Sequence, residues 1–290
     1  MQFTKSQKTT RRAKVLLIGE AGSGKTHAAL TFPKPAVIDA EGSIDWFSDR
    51  FDFLSVNTKS FSDARDLLTQ VRRGSVDCET VVIDSLTSIY NGLLLAASLQ
   101  REDLRPLDWG RIKRKFSSLL DELYFKTDKH VVCIGWIKPE YARPGQIVNG
   151  VEVKASELVR IGEVFDGDKK TNHAFDFIFK IESNDGKNTR ATVVKSRSKE
   201  LVAGQIIPNF SFQTIKNILP VGNTVATGMS DEEQIQKDSD VPSPKELLEQ
   251  FGGTATDFKV LIKTLIPDWD EKTLNSQQRQ FIAVELSKIK

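Results

Sequence analysis

The residues Gly19–Thr26 constrain this chain more than any other stretch, because GEAGSGKT matches the pattern G-x-x-x-x-G-K-[ST] in full. In this pattern the backbone N–H groups converge on phosphate oxygens, the lysine adds charge beside the β- and γ-phosphates, and the hydroxyl ligates Mg²⁺. An apolar run at 13–19 precedes the motif and a helical pattern follows it. The motif predicts a site for ATP and Mg²⁺, with contacts from Gly19, Glu20, Ala21, Gly22, Ser23, Gly24, Lys25, Thr26 and His27.

Two further carboxylates follow apolar runs. Asp84 ends VVID and, with Thr26, is predicted to hold Mg²⁺, although a helix N-cap is the alternative. Glu41 follows the run at 35–40, where ligands of open α/β sheets bind beyond the carboxyl ends of the strands. A carboxylate there could orient or deprotonate the water that attacks the γ-phosphate, and a solvated turn is the alternative.

The apolar runs alternate with helical patterns along most of the chain. This alternation predicts an α/β fold with a mostly parallel central sheet flanked by helices, its strands at 13–19, 35–40, 53–56, 80–85 and 130–136. Residues 173–183 and 189–198 read as two strands joined by the turn NDGKN, which predicts a late β-hairpin. Residues 137–172 are polar and glycine-rich without apolar periodicity, so we expect a long loop there.

Composition indicates where the chain divides into domains and which classes of protein it excludes. We predict a basic N-terminal arm at 1–12, an ATPase core at 13–220, a flexible acidic linker at 221–244 and a small helical domain at 245–290. Lys and Arg number 41 against 39 Asp and Glu, which excludes a protein that is basic all over but not a local basic groove. Cys78 and Cys133 read as buried free thiols, so we expect a cytoplasmic protein. No apolar run in the sequence approaches the length that spans a membrane, so we expect no membrane partner.

The order of these motifs resembles the ATPase core of the RecA-like recombinases. Those proteins carry a similar IDAE segment whose glutamate is the catalytic base, and Glu41 occupies that position in VIDAEGSID. The stretch ATVVKSRS resembles the recombinase strand whose basic residues reach the ATP of a neighbouring subunit, so Lys195 and Arg197 are catalytic candidates acting in trans. The resemblance covers residues 13–218 and leaves the linker and the helical domain aside.

The pattern is most similar to that of the short phage-encoded ATPases of this class. The motifs that carry this resemblance are DSLT at 84–87, DWG at 108–110 and K-x-R at 195–197. This resemblance implies an ATP-dependent recombination or annealing protein that binds single-stranded DNA. It also implies a Mg²⁺-dependent ATPase stimulated by DNA, a homo-oligomer in the form of a ring or filament, and action in the cytoplasm of a host cell. One departure stands at Trp136, where the recombinases have a glutamine that senses the γ-phosphate.

In the recombinases two loops hold DNA, and by position these correspond to residues near 100–110 and to 137–172. Acidic residues in the second loop offset its positive charge. The loop still supplies basic and aromatic candidates for DNA contact, which are Lys138, Tyr141, Arg143, Lys154 and Arg160. The basic cluster at 111–115 reads by default as a solvated helix face.

Two other functions stay open. The first is an accessory P-loop ATPase, such as a helicase loader or a partner-regulated switch, with residues 245–290 docking a replication or recombination protein. The second, a small-molecule kinase, would need an arginine-rich lid, and the sequence offers no such segment. Stimulation of turnover by DNA separates the recombinase-like function from both.

Overall fold

The computed structural model describes residues 10–100, 103–183, 188–221, 244–266, 274 and 276–289. The chain divides into two compact units, Met1–Val225 and Ala226–Lys290. The strands of the first unit are β1 (Lys14–Ile18), β2 (Pro35–Asp39), β3 (Leu54–Asn57), β4 (Thr80–Asp84), β5 (His130–Gly135), β6 (Ile137–Tyr141), β7 (Ile147–Val148), β8 (Val151–Glu152), β9 (Arg160–Phe165), β10 (Phe177–Ser183), β11 (Thr189–Ser196) and β12 (Ile206–Pro208).

The α-helices of the first unit lie between these strands, except that the last one follows β12. They are α1 (Lys25–Leu30), α2 (Phe61–Arg72), α3 (Leu86–Gln100), α4 (Pro106–Asp121) and α5 (Phe212–Lys216). A π-helical turn at Glu122–Lys126 extends α4, and short 3₁₀ helices lie at Ile44–Phe47 and Lys169–Ala174. The second unit contains α6 (Pro244–Phe251), α7 (Ala255–Leu265) and α8 (Ser276–Ile289).

The central sheet has the strand order β12-β11-β10-β1-β5-β4-β2-β3 in the part of the chain that the structure describes. The strands from β10 to β3 pair in parallel, while β11 pairs antiparallel with β10 and with β12. The predicted α/β fold with a mostly parallel sheet is therefore confirmed, and β10 and β11 form the antiparallel pair predicted at the end of the core. This is the P-loop α/β ATPase fold.

Helices cover both faces of the central sheet. The strands β1, β4 and β5 are buried along their whole length, which is why their sequences read as continuous apolar runs. On one face α1 and α5 bury side chains such as Ala29 and Ile215. On the other face α2, α3 and α4 bury Leu68, Ile89 and Phe116. Because the strands from β10 to β3 are parallel, their carboxyl ends lie at one edge of the sheet, called here the carboxyl edge. Their first residues lie at the opposite edge, called here the amino edge.

The structure corrects the prediction of a long loop over residues 137–172. Strand β6 continues from β5 after Trp136 and pairs antiparallel with β9, and β7 pairs with β8 between them. We call residues 137–165 the β-ribbon. Most of its side chains are exposed, so no buried face imposes an apolar alternation on the sequence. The strand expected from 173 begins at Phe177, because residues Lys169–Ala174 form a 3₁₀ helix that Asp168 caps by accepting from Lys170 N at 2.9 Å.

The second unit is built from α6, α7 and α8. Its core joins the three helices through five buried side chains, Leu247, Phe258, Ile262, Ile282 and Leu286. Thr254 caps α7 by accepting a hydrogen bond from Asp257 N at 3.2 Å. Most of the predicted arm at 1–12 and of the predicted linker at 221–244 lies outside the described residues, so both stay predictions. No helix in the described ranges combines the length and the apolar character needed to cross a membrane.

Candidate nucleotide-binding site

The loop between β1 and α1 closes around the ammonium group of Lys25. Its Nζ atom donates hydrogen bonds to the carbonyl oxygens of Gly19 at 2.9 Å and Glu20 at 2.6 Å, and to Ser23 Oγ at 3.3 Å. Lys25 is 7% exposed, and its burial lowers the pKa of the ammonium from the ordinary 10.5, while the carboxylates of Asp84 and Glu41 act in the opposite direction. The ammonium group is thus held by carbonyl and hydroxyl oxygens of the loop that would surround the phosphates.

Two glycines of the loop occupy positions that other residues could not. Gly24 precedes α1 with a φ of 92°, in the left-handed region that favours glycine. A Cβ atom at Gly19 would lie 2.3 Å from the carbonyl oxygen of Ile181 on β10, so the loop can pass that strand only without a side chain. The spacing of glycines in the motif therefore follows from the path of the backbone in this fold.

Thr26 and Asp84 meet at the carboxyl edge, as the sequence predicted for the two Mg²⁺ ligands. Thr26 Oγ1 donates to Asp84 Oδ2 at 2.7 Å. Asp84 is 3% exposed, and its burial raises the pKa of the carboxyl from 3.8 to about 6, against the opposing hydrogen bond from Thr26. Hydroxyl and carboxylate oxygens suit Mg²⁺, which keeps several waters and shares phosphate oxygens. Among the described residues no group of three or more His, Cys, Asp or Glu side chains is placed to hold a metal ion by itself.

Asp39 builds the turn that presents Glu41. Its Oδ1 accepts hydrogen bonds from the backbone N–H of Glu41 at 3.0 Å and of Gly42 at 2.8 Å, and its Oδ2 accepts from Ile44 N at 3.1 Å. Asp39 is 2% exposed, so this carboxylate is fully used by the backbone of its own turn. Glu41, in contrast, is exposed and lines the same cavity as Lys25 and Asp84.

Trp136 contacts Glu41 directly, a relation that the sequence did not reveal. Its indole Nε1 donates to Glu41 Oε1 at 2.7 Å, although 95 residues separate the two along the chain. Trp136 is 42% exposed and lines the cavity, so its indole makes this polar contact within the site. The position that holds a glutamine in the recombinases is therefore connected here to the predicted catalytic base.

The loop opens into a cavity of about 810 Å³, within the usual range for small-molecule sites. Residues Ala21–His27 line it together with Glu41, Asp84 and Trp136. His27 packs edge-on against Phe51, with the ring centroids 5.1 Å apart. Sequence reasoning missed a second group of lining residues, which come from the 3₁₀ helix after Glu41, from the start of β11 and from the segment before α5: Phe47, Arg50, Asn188, Thr189, Asn209, Phe210 and Ser211.

Lys195 and Arg197 lie at the amino edge, away from the phosphate loop. Lys195 on β11 pairs with Ile178 near the start of β10, and its Nζ donates to the carbonyl oxygen of Asn172 at 2.6 Å. Arg197 Nε lies 3.0 Å from Asp176 Oδ1, and its guanidinium lies over the Tyr124 ring at 5.8 Å. The structure therefore does not bring them to the nucleotide cavity of their own chain.

The five residues predicted to contact DNA belong to the β-ribbon and its turns. Lys138 and Tyr141 lie on β6 and Arg160 on β9, while Arg143 and Lys154 flank the β7–β8 hairpin. All five are exposed. Two of them already have acidic partners: Lys138 Nζ lies 2.8 Å from Asp166 Oδ1, and Arg160 NH2 lies 2.6 Å from Glu163 Oε1.

The basic cluster at 111–115 lies on α4, where Ile112 points into the core and the four charged residues are exposed. Part of it lines a groove of about 550 Å³ between α3 and α4. The default interpretation as a solvated helix face is thus compatible with the structure.

The comparison with protein families matches residues 11–205 to the family described as AAA domain. The matched region spans the phosphate loop, Glu41, Asp84, the β-ribbon and the β10–β11 pair, about two thirds of the 290 residues. The comparison with curated proteins gives no match. Since the family match covers more than half of the chain and agrees with the fold and the phosphate loop, the chain belongs to the AAA domain family of P-loop ATPases.

Proposed function

We propose that this protein is a Mg²⁺-dependent ATPase that binds single-stranded DNA and acts in recombination or strand annealing as an oligomer, of the kind that phages encode. The observation that supports hydrolysis most directly is the convergence of Lys25, Thr26, Asp84 and Glu41 on one cavity. Each of these side chains has a distinct task in phosphoryl transfer to water, and a nucleotide carrier without turnover would have no use for Glu41.

In the proposed reaction the β- and γ-phosphates lie against the backbone of the loop, and Lys25 offsets their charge. Thr26 and Asp84 would hold Mg²⁺, which would supply positive charge beside the phosphate oxygens. Glu41 accepts a hydrogen bond from a water molecule and takes its proton as the water oxygen bonds to the γ-phosphorus. The bond between that phosphorus and the bridging oxygen breaks, which gives ADP and inorganic phosphate.

The β-ribbon supports single-stranded DNA as the partner. It directly follows Trp136, which lines the nucleotide cavity, and it exposes the phenol of Tyr141 together with Lys138, Arg143 and Lys154. Basic side chains that follow a phosphate backbone and an aromatic ring that stacks on a base are the usual means of binding single strands. Because the β-ribbon is continuous with β5, single-stranded DNA bound to it would lie close to the site of ATP hydrolysis.

The amino edge supports an oligomer with shared sites. Lys195 and Arg197 cannot serve the cavity of their own chain, so any catalytic role for them requires that a neighbour present its carboxyl edge to them. Such a contact joins two different surfaces, and repetition of it gives a ring or a filament. The basic residues would then stabilise the transition-state charge in trans, as arginine fingers do.

Hydrolysis of ATP, measured across protein concentration with and without a dT oligonucleotide, tests this proposal. We expect turnover to rise with the oligonucleotide, to increase more than linearly with protein concentration and to fall by at least about 10²-fold in Glu41→Gln. Turnover that is linear in protein and indifferent to the oligonucleotide would contradict both the DNA partner and the shared site.

An accessory ATPase stimulated by a protein partner is the second candidate. The helical unit favours it, because Val260 on α7 and Phe281 on α8 are 62% and 45% exposed and could contribute to a docking surface. In that case removal of residues 244–290 would abolish stimulation by the partner, whereas a response to the dT oligonucleotide would be absent in the full chain.

A further inference from the structure

We propose that Trp136 is a positioning residue for ATP hydrolysis, whose indole N–H holds the Glu41 carboxylate in the orientation that accepts the proton of the attacking water. This inference rests on the proposed ATPase function and on the role of Glu41 in it. It adds a residue to the site and assigns to that residue a task that is separate from nucleotide binding.

The contact itself has the geometry that this task requires. Trp136 Nε1 lies 2.7 Å from Glu41 Oε1, a short hydrogen bond to a charged acceptor. The donor occupies one oxygen of the carboxylate and leaves Oε2 for a water molecule. An indole N–H is a donor only, so Trp136 cannot itself accept the proton that Glu41 is proposed to take.

Glu41 needs such a restraint. Its backbone is fixed by Asp39, but its side chain is exposed on a turn that Gly42 continues at a φ of 72°. A glutamate side chain in solvent has several rotamers, and fixing it costs conformational free energy when the reaction needs one of them. A base held in place by a third group is the arrangement found in activated catalytic pairs generally.

Trp136 is in turn anchored by buried groups. Its backbone N–H donates to Thr87 Oγ1 at 3.0 Å, and that hydroxyl donates to the carbonyl oxygen of Asp166 at 3.0 Å. Asp166 N donates back to the carbonyl oxygen of Trp136 at 2.8 Å, and Thr87 is fully buried. The backbone that carries the indole is therefore fixed where the β-ribbon begins. Precise placement of a catalytic group requires that the residue positioning it is itself held rigidly.

The test compares Trp136→Phe, which keeps an aromatic ring but removes the N–H donor, with Trp136→Gln, which keeps an N–H donor without the ring. We expect Trp136→Phe to lower kcat by about 10-fold, since a hydrogen bond to a charged group contributes on that order, and to leave KM for ATP unchanged. Trp136→Gln should recover part of the lost kcat. The matched control is Trp46→Phe, where an indole that is 82% exposed does not line the cavity.

A double-mutant cycle with Glu41→Gln separates this inference from the function on which it rests. If Trp136 acts through Glu41, Trp136→Phe has no further effect in the Glu41→Gln background. A kcat for Trp136→Phe equal to that of the wild type, an effect on KM alone, or an effect that adds fully to that of Glu41→Gln would overturn the positioning role. If Glu41→Gln turns over as fast as the wild type, the role of Glu41 fails and the positioning role of Trp136 fails with it, whereas absence of ATP hydrolysis by the wild type would contradict the proposed function itself.

Discussion

Within one chain, the charged residues at the two edges of the central sheet have different surroundings. At the carboxyl edge Lys25, Thr26, Asp84 and Glu41 face a cavity of about 810 Å³. At the amino edge, the charged side chains of Lys14, Lys195 and Arg197 bind groups of their own chain: the Lys14 ammonium donates to the carbonyl oxygens of Thr127 and Lys129, Lys195 to that of Asn172, and Arg197 pairs with Asp176. Within one chain, the same kinds of side chain thus line a cavity at one edge and contact protein groups at the other.

This difference shows why a basic residue in a motif does not by itself mark a site. Lys25 is 7% exposed and its ammonium donates to the carbonyl oxygens of Gly19 and Glu20, yet it also lines a cavity. Lys14 is 6% exposed, and burial lowers the pKa of its ammonium to about 8, but it closes a gap between carbonyl groups. The surroundings of each ammonium group therefore decide its role. Four predictions test whether the residues at the carboxyl edge and those at the amino edge differ in their effect on ATP hydrolysis.

The largest effect is expected from Glu41→Gln at the carboxyl edge. Loss of a general base typically costs about 10²- to 10⁴-fold in rate. We expect a loss of this size in kcat for ATP hydrolysis, with binding of a fluorescent ATP analogue unchanged, because Glu41 is proposed to act on the water. Normal turnover by Glu41→Gln would mean that another group activates the water.

A smaller loss is expected from the pair Lys195→Ala and Arg197→Ala at the amino edge. If both residues act on a neighbour's ATP, kcat should fall by at least about 10²-fold, below the full effect of an arginine finger because other positive charges remain in the site. The matched control is Lys199→Ala, a change of an exposed lysine two residues further on. If the pair and the control both retain full turnover, the amino edge serves only the fold.

Asp84→Asn should weaken Mg²⁺ binding by about 10- to 100-fold, the usual effect of removing a carboxylate that supports a metal ligand. The hydrogen bond from Thr26 can persist, since the amide oxygen of asparagine still accepts it. The dependence of hydrolysis on Mg²⁺ concentration measures the effect, and excess Mg²⁺ should restore part of the rate. An unchanged Mg²⁺ dependence would leave Asp84 with a structural task alone.

The last prediction concerns stability at the amino edge and is expected to leave turnover unchanged. His130 is 3% exposed and accepts from Ala13 N at 3.0 Å, and burial lowers its pKa from 6.5 to about 4. The unfolded chain therefore binds a proton that the folded chain does not between those values, so the free energy of unfolding falls as the pH drops from about 6.5 to about 4. Urea unfolding of the wild type and His130→Asn across this range should show a flatter pH dependence in the variant. Parallel curves would contradict the assignment to His130.

Much of this molecule follows from local sequence, and the rest depends on contacts between distant residues. The runs KVLLI, TVVID and HVVCIG could be read as strands because both of their faces are buried. The phosphate loop and Asp84 could be read from their positions at the ends of such strands. The β-ribbon could not, because its exposed strands carry no apolar period, and the contact between Glu41 and Trp136 joins two elements that only the folded sheet brings together.

The most direct test of the contrast between the two edges is a mixing experiment with two inactive variants, in the presence of a dT oligonucleotide. One variant carries Glu41→Gln and the other carries Lys195→Ala with Arg197→Ala, so each alone lacks one half of a shared site. If a carboxyl edge and a neighbour's amino edge complete one site, an equimolar mixture should recover about a quarter of the wild-type rate, because random association re-forms intact sites at that frequency. A mixture no faster than the sum of its two components would contradict the shared site.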